Sequence, residues 1–179
     1  MDKKQILVVV DMQNDFITGA LGSEDAGKIV RNVVEVVKAH KGELYFTRDT
    51  HGENYLETQE GKNLPIEHCI KGTEGWEICP ELQKFTKGAV IVDKSAFGSM
   101  ELAEKIKEIA VNNNIDTITL VGLCTDICVI SNAIILKAAL PEVTVKVLED
   151  CCAGVSEKSH RNALEAMKVC QISVEQGIK

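Results

Sequence analysis

The sequence predicts an α/β fold of three layers, α/β/α, in which helices cover both faces of a doubly wound, mainly parallel sheet of about six strands. Two observations predict it. Short apolar runs rich in β-branched residues are typical of strands buried on both faces, and they recur at 6–10, 44–47, 89–92, 115–121 and 143–148. Stretches of helical spacing separate several of these runs, and strands that alternate with helices build parallel sheets. We find no linker or internal repeat, so we expect one domain over residues 1–179.

The first half of the chain supplies a strand, a helix and a second strand. Ser23 is placed to cap a helix that reaches about residue 40, with an apolar stripe formed by Ile29, Val30, Val33, Val34 and Val37. After the strand at 44–47, residues 52–88 contain several glycines and prolines and no sustained periodicity. A loop of this length inside a compact domain is uncommon unless it carries function.

The second half repeats the alternation. A helix is predicted from about 99 to 112, and another follows the strand at 115–121, with Thr125 or Asp126 as its cap. Ser156 is expected to cap a last helix to about residue 168, whose inward face is Ala163, Leu164 and Met167. A short strand at 171–174 closes the pattern.

Composition excludes several classes of function. The net charge of −7, without a run of basic residues, argues against a nucleic-acid surface. No segment approaches the roughly 18 apolar residues of a membrane span, and no secretory signal is recognised. The seven cysteines are odd in number, lie in apolar surroundings and include no C-x-x-C pair, so we expect reduced thiols and a cytoplasmic protein.

Four strand ends carry residues able to do chemistry. They are Asp11, Asp49 with His51, Lys94, and the turn from Cys124 to Cys128. Taken alone, an aspartate here is more often a turn residue, a lysine is usually solvated, and a cysteine is as readily a small core residue as a nucleophile. Because parallel strands bring their carboxyl ends to one edge of the sheet, a single site could gather all four.

Cys128 has the surroundings of a nucleophile. Gly122 ends the strand, and the start of the following helix favours a thiolate. A thiol with a pKa of about 8.5 is mostly protonated at neutral pH, so catalysis needs a base, a nearby positive charge, or both. Asp11 could accept the proton and return it to a leaving group, while Lys94 stabilises both anions.

A second signal is the Asp49-x-His51 pair. Two ligands on extended chain can approach one divalent ion, and His68 lies in the irregular region downstream. An Asp, His, His set suits zinc, with iron and manganese as alternatives. Glu60 is the candidate fourth ligand, with three other glutamates of the same region as competitors, namely Glu53, Glu57 and Glu67. The other two histidines, His40 and His160, are interpreted as helical surface residues.

These motifs, in this order, resemble the isochorismatase-like cysteine hydrolases, and among them the nicotinamidases. The resemblance spans nearly the whole chain and rests on five segments, 9–16 (VVDMQNDF), 48–51 (RDTH), 68–73 (HCIKGT), 93–94 (DK) and 122–129 (GLCTDICV). Isochorismatases proper lack the cysteine, and the carbamoyl- and ureido-cleaving relatives generally lack the metal motif, so the combination favours nicotinamidase. Two departures are the Leu64–Glu67 stretch (LPIE), where many nicotinamidases have Trp, and the absence of a further His after the D-x-H pair.

The resemblance implies a site and an activity. Asp11, Lys94 and Cys128 are the catalytic residues, and the backbone N–H groups of Cys124 and Cys128 form the oxyanion hole after a cis Leu123–Cys124 bond. Phe16 lies beside the substrate, with Tyr55 or Trp76 as a further aromatic. The activity is hydrolysis of a small carboxamide, most simply nicotinamide, with a metal that orients it, and a homo-oligomer is expected by analogy. Alternatives are another amidase or ureidase of the superfamily and, more distantly, a non-enzymatic metal or redox protein.

Overall fold

The computed structural model describes residues 4–112 and 114–177. It contains six strands, β1 (Lys4–Val10), β2 (Glu43–Asp49), β3 (Val90–Lys94), β4 (Ile115–Leu123), β5 (Thr144–Ala153) and β6 (Ser173–Glu175). They form one sheet in the order β3-β2-β1-β4-β5-β6, and every pairing is parallel. The predicted fold is therefore confirmed, with a sheet that is wholly rather than mainly parallel.

Seven helices accompany the sheet in the described residues. They are α1 (Asn14–Ile17), α2 (Glu24–Ala39), α3 (Gln59–Asn63), α4 (Pro80–Gln83), α5 (Met100–Asn112), α6 (Ile130–Ala139) and α7 (Glu157–Val169). A 3₁₀ turn covers Tyr55–Glu57, and a π-helical turn covers Thr125–Val129. Two of the predicted caps are confirmed, because the Ser23 hydroxyl accepts a hydrogen bond from Ala26 N–H and Ser156 forms a capping box with Ser159.

The side chains of β1 divide the apolar interior into two clusters, one on each face of the sheet. Ile6, Val8 and Val10 belong to one cluster, together with the inward faces of α5, α6 and α7, including Leu102, Ala133, Leu136, Leu164 and Met167. Leu7 and Val9 belong to the other, packed with α2 and the segment that leads to α4. This alternation follows from the two-residue period of a strand and produces the three layers.

The prediction for the helix after β4 is wrong in its cap. Neither Thr125 nor Asp126 caps α6, because both lie inside the π-helical turn that precedes it. The Thr125 hydroxyl is hydrogen-bonded to His160 Nδ1 at 2.8 Å, and the Asp126 carboxylate accepts the N–H of Val155. Contacts with the start of α7 therefore use the two side chains that the sequence pattern assigned to a cap.

The remaining differences concern length. β5 continues to Ala153, five residues beyond the predicted strand, and the irregular region at 52–88 holds α3, α4 and the 3₁₀ turn. No helix within 4–112 or 114–177 has the length and apolar character needed to cross a bilayer.

The strand order fixes where a ligand can bind. β1 and β4 are neighbours at the centre of the sheet, and the chain continues from β1 toward β2 on one side and from β4 toward β5 on the other. In open parallel sheets this switch point opens a crevice at the carboxyl ends of the strands. Asp11 follows β1 there, and the turn that begins at Cys124 follows β4.

Candidate active site

Lys94 is the centre of a buried charge cluster at this crevice. Its Nζ atom lies 2.7 Å from Asp11 Oδ2, 3.4 Å from Cys128 Sγ and 3.3 Å from Asp49 Oδ1. Lys94 Nζ also donates a hydrogen bond to the carbonyl of Ala96 at 3.1 Å. The ends of β2 and β3 and the segments that follow β1 and β4 thus bring the predicted residues to one point.

The Asp11 carboxylate is held from two sides. Oδ1 accepts the Thr47 hydroxyl at 2.6 Å, and Oδ2 faces the ammonium of Lys94. The backbone of Asp11 has φ of 47°, a left-handed conformation that non-glycine residues adopt rarely and that clusters at functional sites. Asp11 is wholly buried, so its carboxylate is fixed where the chain leaves β1.

The turn that presents Cys128 depends on a close backbone approach. The Leu123–Cys124 peptide bond is cis, as the resemblance implied. Gly122 has φ of 114°, and a Cβ atom on it would lie 2.1 Å from the carbonyl oxygen of Val10 on the neighbouring strand. Only glycine fits this position, and the π-helical turn then carries Cys128, 5% exposed, toward Lys94.

Burial and mutual charge set the protonation of the cluster. Burial raises the pKa of Asp11, and the nearby Lys94 only partly offsets that rise. Burial and the adjacent Asp11 carboxylate raise the pKa of the Cys128 thiol. Burial alone would lower the pKa of Lys94, but Asp11, Cys128 and Asp49 together raise it. The ammonium therefore persists, and Asp11 is a stronger base than an ordinary carboxylate.

A candidate metal centre adjoins this cluster. One ligand atom each from Asp49, His51, Glu60 and His68 lies within 4.8 Å of all the others. Asp49 Oδ2 is 2.9 Å from His51 Nε2 and 3.5 Å from His68 Nε2, and Glu60 Oε1 is 3.6 Å from His68 Nε2. Of the four glutamates considered, the structure brings Glu60 to the histidines; Glu53, Glu57 and Glu67 are exposed and outside the cluster.

The donor set and its supports fit a divalent cation. His68 Nδ1 lies 2.8 Å from the carbonyl of Ile66, so this nitrogen carries the proton and Nε2 keeps its lone pair for a metal. Burial would raise the pKa of Asp49, but the adjacent His51 and His68 side chains and the charge of Lys94 lower it overall. Burial and the charge of Asp49 raise the pKa of Glu60. Two carboxylates this close are stabilised by a cation between them.

Two side chains that sequence reasoning missed hold these ligands in place. The buried Gln13 amide donates to the carbonyls of Asp49 and Trp76 and accepts the N–H of Asp49 at 2.7 Å. The Asp15 carboxylate accepts the N–H of Cys69, the residue after His68, at 2.7 Å. Both belong to the segment 9–16 that carried the resemblance, but their partners are distant in sequence.

Both clusters open onto one cavity of about 380 Å³. Cys124 and Cys128 line one part, and Asp49, Glu60 and His68 line another. The remaining wall is mainly apolar and includes Phe16, Leu21, Leu64, Ala96, Phe97 and Ile127. Phe16, which the resemblance places beside a substrate, is part of this lining, and a volume of this size suits a small molecule.

The other aromatic candidates lie elsewhere. Tyr55 is fully buried against His51 and His68, behind the metal cluster, and burial together with nearby carboxylates raises its pKa to about 12. Trp76 stacks beneath the guanidinium of Arg48 at 3.6 Å and donates to the Thr50 hydroxyl. Neither is among the residues that line the cavity.

The two remaining histidines, His40 and His160, are only partly exposed at the surface. His40 follows the end of α2, with Nε2 3.1 Å from the carbonyl of Glu43. His160 is hydrogen-bonded to Thr125 in the π-helical turn, and burial lowers its pKa.

Comparison with known proteins gives a consistent result. The family model called Isochorismatase domain matches residues 5–176. The nicotinamidase/pyrazinamidase of Mycobacterium tuberculosis is 28% identical over 181 residues, which cover 94% of this chain and 96% of that protein.

Two solved structures are similar over nearly their whole length. Nicotinamidase/pyrazinamidase from Bacillus subtilis has a TM-score of 0.83 at 25% identity, and the match covers 97% of this chain and 100% of that one. Pyrazinamidase of Pyrococcus horikoshii, solved in complex with zinc, has a TM-score of 0.78 at 29% identity over 97% of this chain and 99% of that one.

Proposed function

Because this chain belongs to the isochorismatase domain family, we propose that it is an amidohydrolase that converts nicotinamide to nicotinate and ammonia through a cysteine thioester. One observation carries the proposal. The ammonium of Lys94 contacts Asp11, Cys128 and Asp49 at once, and thereby joins a nucleophile, its base and a candidate metal ligand. A nitrogen heterocycle that carries a carboxamide fits this arrangement, because one small molecule can reach both the thiol and the metal site within the cavity.

The reaction begins with transfer of the Cys128 thiol proton to Asp11. The thiolate, stabilised by Lys94, attacks the carboxamide carbon, and the backbone N–H groups of Cys124 and Cys128 stabilise the oxyanion. The loss of one such donor typically costs 10²–10³ in rate, so these two groups would supply a large share of the acceleration. Asp11 then protonates the departing amine, which leaves as ammonia and leaves the acyl group on sulfur.

The second half-reaction is hydrolysis of the thioester. Asp11, now ionised again, accepts a proton from water as the water oxygen attacks the acyl carbon. The carbon–sulfur bond breaks, Asp11 returns the proton from water to the departing thiolate of Cys128, and the acid leaves as nicotinate after losing its proton to solvent. The same carboxylate therefore acts alternately as base and acid in both half-reactions, which suits a group whose pKa is raised by burial.

We assign a divalent metal, zinc, to the four-residue cluster of Asp49, His51, Glu60 and His68. Two imidazoles and two carboxylates are a donor set that zinc accepts readily, with iron and manganese as alternatives. When bound, the metal supplies a Lewis-acid contact for a ring nitrogen or a water molecule. The protein's part is to hold the ring between Phe16 and the opposite apolar wall, with the carboxamide directed at Cys128.

Ammonia release tests the proposal. Nicotinamide and pyrazinamide should be hydrolysed, and ureido and carbamoyl compounds should not. Cys128→Ala should abolish the release, whereas Cys124→Ala should retain most of it, because the backbone of Cys124 and not its thiol takes part. Hydrolysis confined to ureido substrates would replace this proposal with the rival of the same superfamily, and activity that survives in Cys128→Ala would disprove the nucleophile.

Three expectations from the sequence stay predictions. They are the single domain over 1–179, the cytoplasmic location and the homo-oligomer. Size-exclusion chromatography with light scattering would measure the last of these.

A further inference from the structure

Asn132 is a fully buried amide in an apolar helix, one turn after Cys128. Its Oδ1 accepts the N–H of Ser99 at 2.9 Å, and its Nδ2 donates to the carbonyls of Phe97 at 3.1 Å and Cys128 at 2.8 Å. These partners determine the orientation of the amide. The N–H of Ser99 needs the amide oxygen as its acceptor, and the carbonyls of Phe97 and Cys128 need the amide nitrogen as their donor. Asparagine is a poor helix former, so this position in α6 is explained by its three hydrogen bonds.

The three bonds connect the two halves of the catalytic cluster. Phe97 and Ser99 belong to the loop that follows Lys94, and the carbonyl of Ala96 in that loop accepts a hydrogen bond from Lys94 Nζ. Cys128 belongs to the turn that precedes α6. One side chain is therefore bonded both to the backbone of the nucleophile and to the loop that helps to place the lysine.

The loop also fits closely against α6. A Cβ atom on Gly98 would lie 2.4 Å from Ile135 Cδ1 and 3.3 Å from Ser131 Cβ. Phe97, next to this contact, lines the substrate cavity and is 46% exposed, so apolar burial contributes little to holding the loop there. Its position thus depends on the close approach at Gly98 and on the hydrogen bonds of Asn132.

We propose that Asn132 is a positioning residue that holds the Cys128 turn and the 95–99 loop in one arrangement, so that Lys94 faces the sulfur. The proposal goes beyond the proposed function. It rests on that function only for the expected change in kcat, which assumes that nicotinamide is the substrate. Replacement by alanine would leave the carbonyls of Phe97 and Cys128 and the N–H of Ser99 without these partners, and buried polar groups left unpaired are costly enough to shift the backbone. A displacement of about 1 Å at a catalytic group can cost a hundredfold in rate.

The test compares Asn132→Ala with Leu136→Ala, a fully buried core position one turn later on the same helix. The first measurement is the rate of Cys128 alkylation by iodoacetamide at one neutral pH, followed by mass spectrometry. We expect Asn132→Ala to slow alkylation at least tenfold and to lower kcat for nicotinamide by about a hundredfold, with a smaller change in KM. Leu136→Ala should lower the melting temperature but leave the alkylation rate unchanged.

Gly98→Ala provides a second variant that leaves Asn132 intact and pushes the same loop from α6, so it decides the question if Asn132→Ala does not fold. It should slow alkylation in the same direction and by a smaller factor. Unchanged alkylation and kcat in every folded variant, with a melting temperature lowered as in Leu136→Ala, would overturn the proposal. Because alkylation needs no substrate, slowed alkylation in a protein that does not hydrolyse nicotinamide would support the positioning role while refuting the proposed function.

Discussion

Replacement of Lys94 by methionine tests the electrostatics of the site most directly. Methionine is an unbranched side chain of nearly the same length, and it lacks the ammonium that lies 3.4 Å from Cys128 Sγ. At that separation, Coulomb's law gives an attraction between the ammonium and a thiolate of about 1 kcal/mol with the dielectric constant of water and about 5 kcal/mol at an effective value of about 20. Since about 1.4 kcal/mol is a factor of ten, the thiolate population at a given pH should fall between about tenfold and several thousandfold.

Loss of the ammonium also affects Asp11, whose Oδ2 lies 2.7 Å from Nζ. Lys94 lowers the pKa of Asp11 against the effect of burial, so the variant should hold this carboxyl protonated to higher pH and weaken it as a base at neutral pH. Both effects slow the same step. We therefore expect Lys94→Met to have a lower alkylation rate at Cys128 and almost no ammonia release.

The assay is alkylation of Cys128 by iodoacetamide over a range of pH, with the extent of reaction read by mass spectrometry. The wild-type profile should lie at lower pH than that of Lys94→Met, and Lys94→Arg, which keeps the charge, should fall between them. Circular dichroism confirms that each variant is folded. Identical profiles for the wild type and Lys94→Met would refute the role given to this lysine.

Three further results are expected. Thr47→Val should move the acid limb of kcat/KM to higher pH, because the Thr47 hydroxyl donates to Asp11 and lowers its pKa; an unmoved limb would contradict this. In the wild type that limb should lie above the ordinary aspartate value of about 3.9, since Asp11 must be ionised to accept a proton and burial raises its pKa. Glu60→Gln should lower bound zinc, measured by mass spectrometry of metals, and raise KM, whereas the exposed Glu53→Gln should change neither; equal zinc in both variants would remove Glu60 from the ligand set.

The sequence by itself determined the layered fold and the residues at the strand ends. Apolar runs marked five of the six strands, because strands buried on both faces are rich in apolar, β-branched residues. Ser23 and Ser156 marked two helix starts, because a hydroxyl at that place satisfies free backbone N–H groups. Asp11, Asp49 and Lys94 were found because each follows or ends such a run, and parallel strands bring these ends together.

Only the tertiary structure decided which residues act as partners. The choice of Glu60 among four glutamates depends on how 52–88 folds over the sheet, and that region has no periodicity from which its path could be predicted. The bonds from Gln13 to Asp49 and from Thr47 to Asp11 each span 36 positions, so no local pattern contains them.

The turn after β4 shows the same division. A motif identified Cys128 there, but hydrogen bonds to His160 and Val155 from distant parts of the chain removed Thr125 and Asp126 from the cap and left a π-helical turn in its place. Local sequence determines which backbone conformations are available, and contacts between distant segments select among them.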